Sequence, residues 1–147
     1  MLKIAVIDGQ GGSIGREIIE TIRGEIYWDV QIIALGTNSL ATSAMVNAGA
    51  NLGATGENAI ANTANKVDLI LGPVDIVAAD AMSGEITAGI ACVIAECLPK
   101  KMLIPYSSSG IEIAGVDKNL SLDQMIKKAV GTVKVLYEQK KRISELI

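Results

Sequence analysis

Leu2-Lys3-Ile4-Ala5-Val6-Ile7-Asp8-Gly9-Gln10-Gly11-Gly12-Ser13-Ile14-Gly15 is the stretch that decides the fold. A continuous apolar run suits a parallel strand buried on both faces. The glycines after it let the backbone turn tightly and approach a phosphate at the N-terminus of the following helix. Strand, glycine-rich turn and helix together form the opening unit of a dinucleotide-binding fold. The unit predicts a nucleotide site but names no reaction.

Working outward, residues 13–23 carry Ile14, Ile18, Ile19 and Ile22 at helical spacing with Gly24 just past them, which predicts a first helix packed on the sheet. Residues 30–35 form a second apolar strand, closed by Gly36-Thr37-Asn38-Ser39, where Asn38 or Ser39 can cap a helix through about Ala48. A brief third strand at 51–54 and a helix over 57–64 would continue the alternation, and residues 67–73 read as strand four. An alanine-rich stretch predicts helix over 75–82 and 85–97, broken at Ser83-Gly84, before strand five at 101–105. Ile111-Glu112-Ile113-Ala114-Gly115 alternates as an edge strand six would. The expected architecture is three-layer, doubly wound, Rossmann-like α/β, with a mostly parallel sheet of five to six strands over residues 1–120. Residues 121–147 form a long C-terminal helix with Leu122, Ile126, Ala129, Val133, Leu136, Lys140, Ile143 and Ile147 in alternating steps of four and three. Its first half can pack on the sheet, or the helix can pair with a second copy; Ile143, Leu146 and Ile147 tilt the reading towards a homodimer.

A chain of 147 residues, 50% hydrophobic, builds one domain with a real core but no separate substrate domain. The net charge of -3 and scattered basic residues give no footprint for nucleic acid. No apolar stretch spans a bilayer and no basic-then-apolar leader is evident, so the expectation is a soluble, cytoplasmic protein with no membrane partner. Cys92 and Cys97 read as buried free thiols, and with no histidine in the chain there is no zinc set and no Ser-His or Cys-His mechanism.

The loop Gly9-x-Gly11-Gly12-x-x-Gly15 is one residue wider than G-x-G-x-x-G. A Walker loop is excluded because Arg16-Glu17 follows Gly15, and the short-chain dehydrogenase glycine pattern fails at Ser13. Tyr137-Glu138-Gln139-Lys140-Lys141 spells the Y-x-x-x-K of those reductases, but it lies in the terminal helix, away from the glycine loop, and is a chance match. Asp8 would repel a pyrophosphate unless a metal or Arg16 intervenes; alternatively it accepts the Gly11 and Gly12 amides and shapes the turn. The acid expected at the end of strand two, which would hold ribose hydroxyls, is missing: Thr37, Asn38 and Ser39 offer only neutral groups or a helix cap. The loops at 53–58, 72–75 and 105–110 all leave the carboxyl edge of the sheet beside the glycine loop, bringing Asp75, Asp80, Glu85 and Tyr106 within range of a pocket. Asp80 reads as a solvent-facing or capping carboxylate. No catalytic pair is specified.

The opening stretch, with Ile33-Ala34-Leu35-Gly36-Thr37-Asn38, Ala41-Thr42-Ser43-Ala44-Met45, Gly53-Ala54-Thr55-Gly56-Glu57-Asn58-Ala59 and Gly84-Glu85-Ile86-Thr87, resembles a family of small bacterial proteins known only as a domain of unknown function. The resemblance covers about residues 2–117; it implies a single-domain bacterial protein and supplies no catalytic residue. The residues therefore predict a module binding a nucleotide or dinucleotide, NAD or NADP favoured. Its contacts would come from Gly9, Gln10, Gly11, Gly12, Ser13, Ile14 and Gly15, with Gly36, Thr37, Asn38, Gly72 and Pro73. The alternatives are a small NAD(P)-dependent oxidoreductase using a carboxylate or Tyr106 for the proton, and a metal-dependent phosphoester enzyme using Asp8, against which stands the lack of a second acid in that loop.

Overall fold

The computed structural model describes residues 1–26 and 29–147. The opening apolar run forms β1 (Leu2–Asp8), and the glycine turn leads into α1 (Ser13–Glu25). The alternation continues through β2 (Val30–Gly36), α2 (Ser39–Asn47), β3 (Leu52–Thr55) and α3 (Glu57–Thr63). It ends with β4 (Leu69–Pro73), α4 (Ala88–Glu96), β5 (Lys100–Ile104) and α5 (Leu122–Glu145). All strand pairs are parallel and the spatial order is β3-β2-β1-β4-β5. The chain winds outward from β1 to β3, then returns to the other side of β1. A doubly wound sheet of this order opens a crevice between the carboxyl ends of β1 and β4.

Alternating β1 residues feed two cores, since successive strand side chains point to opposite faces. Ile4 and Val6 pack with Ile18, Ile19 and Ile22 of α1, Met45 of α2, and Ile126, Val130 and Val133 of α5. Ala5 and Ile7 pack with Ile60 of α3, Ile76, Ile86, and Ile90 and Ile94 of α4. Each fully buried aliphatic side chain contributes about 1.5–3 kcal/mol of transfer free energy, which fixes the helices to their faces. The result is the three-layer, Rossmann-like α/β architecture expected.

Several expectations need correction. Residues 111–115 form no strand: they are exposed and irregular, and Gly110 and Gly115 at their margins adopt left-handed φ of 78° and 85°, outside the extended range of a strand. β5 therefore stays an edge strand. The helix expected over 75–82 is only a short 3-10 turn, Val74–Val77, because Asp80, Met82 and Ser83 hold left-handed φ values of 67°, 56° and 57° that no helix tolerates. The following helix starts at Ala88 rather than 85, where the Thr87 hydroxyl accepts the Ile90 amide at 3.0 Å as its cap. α1 runs through Gly24 to Glu25, and β4 begins at Leu69, after Asp68 has turned its carboxylate to the Lys3 amide at 2.8 Å. Cys97 is buried as expected but Cys92 is exposed, donating its thiol to Glu96 at 3.3 Å; that carboxylate pushes the thiol pKa up.

α5 opens with a capping box, in which the Ser121 hydroxyl accepts the Gln124 amide and the Gln124 side chain accepts the Ser121 amide. Leu122 to Leu136 of the expected stripe pack on the domain's own core. Lys140 reaches Asp68 at the amino edge of the sheet, 2.6 Å away, and Ile143, Leu146 and Ile147 overhang it, exposed. Among the described residues no helix is long and apolar enough to cross a membrane.

Candidate functional site

The turn after β1 is built around Asp8, which is almost fully buried. One carboxylate oxygen accepts the Gly9 amide and the other the Gly15 amide, each at 2.8 Å, so Asp8 caps α1 from inside the fold. This replaces the expected bonds from Gly11 and Gly12. The Gly12 amide instead closes the turn on the Gly9 carbonyl at 2.9 Å. Burial pushes the Asp8 carboxyl above its ordinary value, the Gly15, Gly9 and Ile14 amides pull it back, and the charge of Glu85 adds to the rise.

The loop glycines divide by what a Cβ would meet. On Gly15 it would lie 2.5 Å from Met45 Sδ, and on Gly9 2.6 Å from Thr37 Oγ1. Gly12 combines a φ of 71° with backbone of Ala41 at 2.9 Å, where a side chain has neither conformation nor room. Gly36 backs onto Thr42, and Gly72 faces the Ile7 carbonyl at 2.4 Å. Gly11 differs: nothing lies within 4 Å of a Cβ built there. The Gly11 and Ser13 amides have no acceptor among the described residues. They lie at the N-terminal end of α1, where a helix favours an anion.

Above this turn, between the ends of β1 and β4, lies a crevice of about 250 Å³. Asp8, Gly9, Gln10, Gly11, Ser13 and Ile14 line one side, with Pro73, Asp75, Met82, Tyr106, Ser108 and Leu122 opposite. Of the residues predicted from sequence, Gly9, Gln10, Gly11, Ser13, Ile14 and Pro73 meet there. Gly12, Gly15, Gly36 and Gly72 stand behind the wall and let the elements approach. Thr37 and Asn38 lie off the crevice, at the end of β2: Asn38 Oδ1 caps α2 by accepting the Ala41 amide, 2.9 Å away, and Thr37 Oγ1 and Asn38 Nδ2 each donate to Glu85 at 2.8 Å. The same Glu85 oxygen accepts the Gln10 amide at 2.9 Å. Burial raises the Glu85 pKa, but those three donors outweigh it and leave the carboxyl below its ordinary value.

Two features were not legible in the sequence. Asp75 is buried, and the loop after β5 wraps it: the Ser107 hydroxyl donates to one oxygen, while the Ser108 amide at 3.2 Å and the Ser109 hydroxyl at 3.2 Å donate to the other. Three consecutive serines after a strand were the available signal, but their partner lies in another loop. The second is that, among the described residues, no Lys or Arg lines the crevice where Asp8 meets Asp75, a meeting that the sequence did suggest. Asp80 is exposed, as the sequence suggested. Tyr137 and Lys141 lie by Met1 and Asp29 at the amino edge of the sheet, opposite the crevice, in keeping with a chance match.

The model of the family described as Domain of unknown function (DUF3842) matches residues 3–138, and the chain belongs to that family. No curated protein and no solved structure matches it.

Proposed function

From a family membership that supplies no reaction, we propose that this protein is a binding module for a nucleotide or dinucleotide, NAD or NADP favoured, seated in the crevice between β1 and β4. The observation that carries the proposal is the coincidence of the sheet's switch point with a glycine loop whose Gly11 is open and whose Gly11 and Ser13 amides lack acceptors among the described residues. Those amides would hold phosphate oxygens at the start of α1. The crevice of about 250 Å³ is below the usual ~300–1,000 Å³ of a ligand pocket, so a dinucleotide would lie only partly inside and extend along the open carboxyl edge. The cofactor, when bound, would supply hydride chemistry; in that enzymatic version Tyr106, which lines the crevice, is the phenol in place to handle a proton. Pairing of two copies through Val135 and Ile143 of α5 and Leu146 just past its end, all exposed, would give the module a way to report its ligand.

The test is thermal unfolding with NAD, NADH, NADP, NADPH, ATP and AMP in turn. A ligand at a hundred times its dissociation constant stabilises the fold by about 2.7 kcal/mol, roughly 5–10 °C for a chain of this size. The shift should vanish in Gly11→Val, whose side chain enters the crevice. No shift for any ligand would refute the proposal.

A specific observation favours a second reading. Asp75 supplies the second carboxylate that the glycine loop lacks, in a crevice with no lysine or arginine among the described residues that line it, which suits a phosphoester held through a divalent cation. Binding that requires magnesium and is lost in Asp8→Asn would support it over the metal-free module.

A further inference from the structure

Residues 78–87 form a strap from the turn after β4 to α4, across the carboxyl edge of the sheet. Ala81, Met82 and Ile86 are buried in the core beside Ala5 and Ile7. The strap closes on itself through the Asp80 amide to the Ile86 carbonyl at 2.8 Å and the Ile86 amide to the Ala81 carbonyl at 3.1 Å. Left-handed backbone at Asp80, Met82 and Ser83 persists only where surroundings fix it, so the strap holds one shape. That shape brings the half-buried Glu85 between the ends of β1 and β2. There one carboxylate oxygen is bonded to the glycine loop at Gln10 and to the end of β2 at Thr37 and Asn38. The other oxygen has no donor among the described residues.

In dinucleotide folds this is the place of an acid that accepts the adenosine ribose hydroxyls, ordinarily carried by the end of β2. Here β2 ends in Gly36-Thr37-Asn38 and carries none. We propose that Glu85, delivered by the strap from a distant part of the chain, is the acid that reads the ribose of the bound nucleotide and selects a free 2′-hydroxyl against a 2′-phosphate. The proposal rests on the nucleotide reading above. The free oxygen accepts a ribose hydroxyl, and the same negative charge repels a 2′-phosphate. The preset strap lets it do so without rearrangement. Thr37 and Asn38 serve as positioning residues that aim the carboxylate.

Calorimetric titration with NAD and NADP of the natural protein and of Glu85→Gln tests this, joined by ADP against 2′-deoxy-ADP on the natural protein. The natural protein should prefer NAD by about tenfold or more, the scale of a hydrogen bond to a charged group, and Glu85→Gln should bring the ratio close to one. 2′-Deoxy-ADP should bind several-fold more weakly than ADP, a comparison that decides the matter even if the variant does not fold. A purely structural Glu85 would weaken all ligands alike and keep the ratio, which would overturn the proposal while the nucleotide reading stands. Absence of binding by all four ligands to the natural protein would overturn both.

Discussion

Replacing Gly72 by alanine separates the glycines that build this site from the one that receives its ligand. The new Cβ would stand 2.4 Å from the Ile7 carbonyl oxygen and 3.0 Å from Ile76 Cδ1. The first neighbour is backbone in the middle of the sheet and cannot rotate away, so β1 and β4 must part by several tenths of an ångström. Overpacking of this kind costs about 1–3 kcal/mol. For a chain of this length that lowers Tm by roughly 3–10 °C. Gly11→Ala is the control, with nothing within 4 Å of its Cβ and no left-handed φ, so its stability should stay within about 0.5 kcal/mol of the natural protein. Urea unfolding of both variants gives the two free energies directly, with unchanged m-values confirming that the comparison is of stability alone. Equal loss in both would refute the division, making Gly11 another structural glycine and leaving the crevice without an open wall.

Ile126 is fully buried against α1, so Ile126→Ala should cost about 2–5 kcal/mol in urea unfolding; a loss below 1 kcal/mol would mean α5 is not part of the core. The folded-state pKa of Asp8 lies above its ordinary 3.8, so its contribution to stability is fully present below 3.8 and lost as the pH rises through the folded value. Unfolding free energies across the acid range should show that decline in the natural protein and its absence in Asp8→Asn. Asp75→Ala leaves the Ser107, Ser108 and Ser109 donors without their acceptor, and faster proteolysis within 106–110 should follow, with about 1–3 kcal/mol of lost stability. Sedimentation should find a dimer that Ile143→Glu dissociates; a monomeric natural protein would remove the proposed pairing.

What was legible in the sequence follows physical rules that act locally. β1 and the glycine turn stood out because a doubly buried strand is apolar over its covered length, here Ile4 to Ile7, and α1 because its isoleucines keep one face. The cap at Asn38, one of two candidates with Ser39, was readable for the same reason: a cap sits beside the helix it serves. The alanine-rich composition suggests helix over 75–82 and from 85, with a break only at Ser83-Gly84, whereas tertiary packing of Ala81, Met82 and Ile86 holds residues 78–87 in left-handed turns. Residues 111–115 alternate like a strand, yet the left-handed backbone at Gly110 and Gly115 leaves only four residues between two turns. The site was half legible. Gly9, Gln10, Gly11, Ser13, Ile14 and Pro73 follow from strand ends, but the partners that complete it are distant in sequence: Glu85 meets Gln10 and Asn38, and Asp75 meets the serines of the loop after β5.

Backbone amide spectra recorded while NAD and then ADP are titrated into the protein address the binding site most directly. The account predicts saturable shifts at the Gly11 and Ser13 amides, with Gln10 following through its bond to Glu85, and none at the amino edge around Met1 and Lys140. Unmoved Gly11 and Ser13 amides at saturating nucleotide, or shifts confined to another surface, would contradict it.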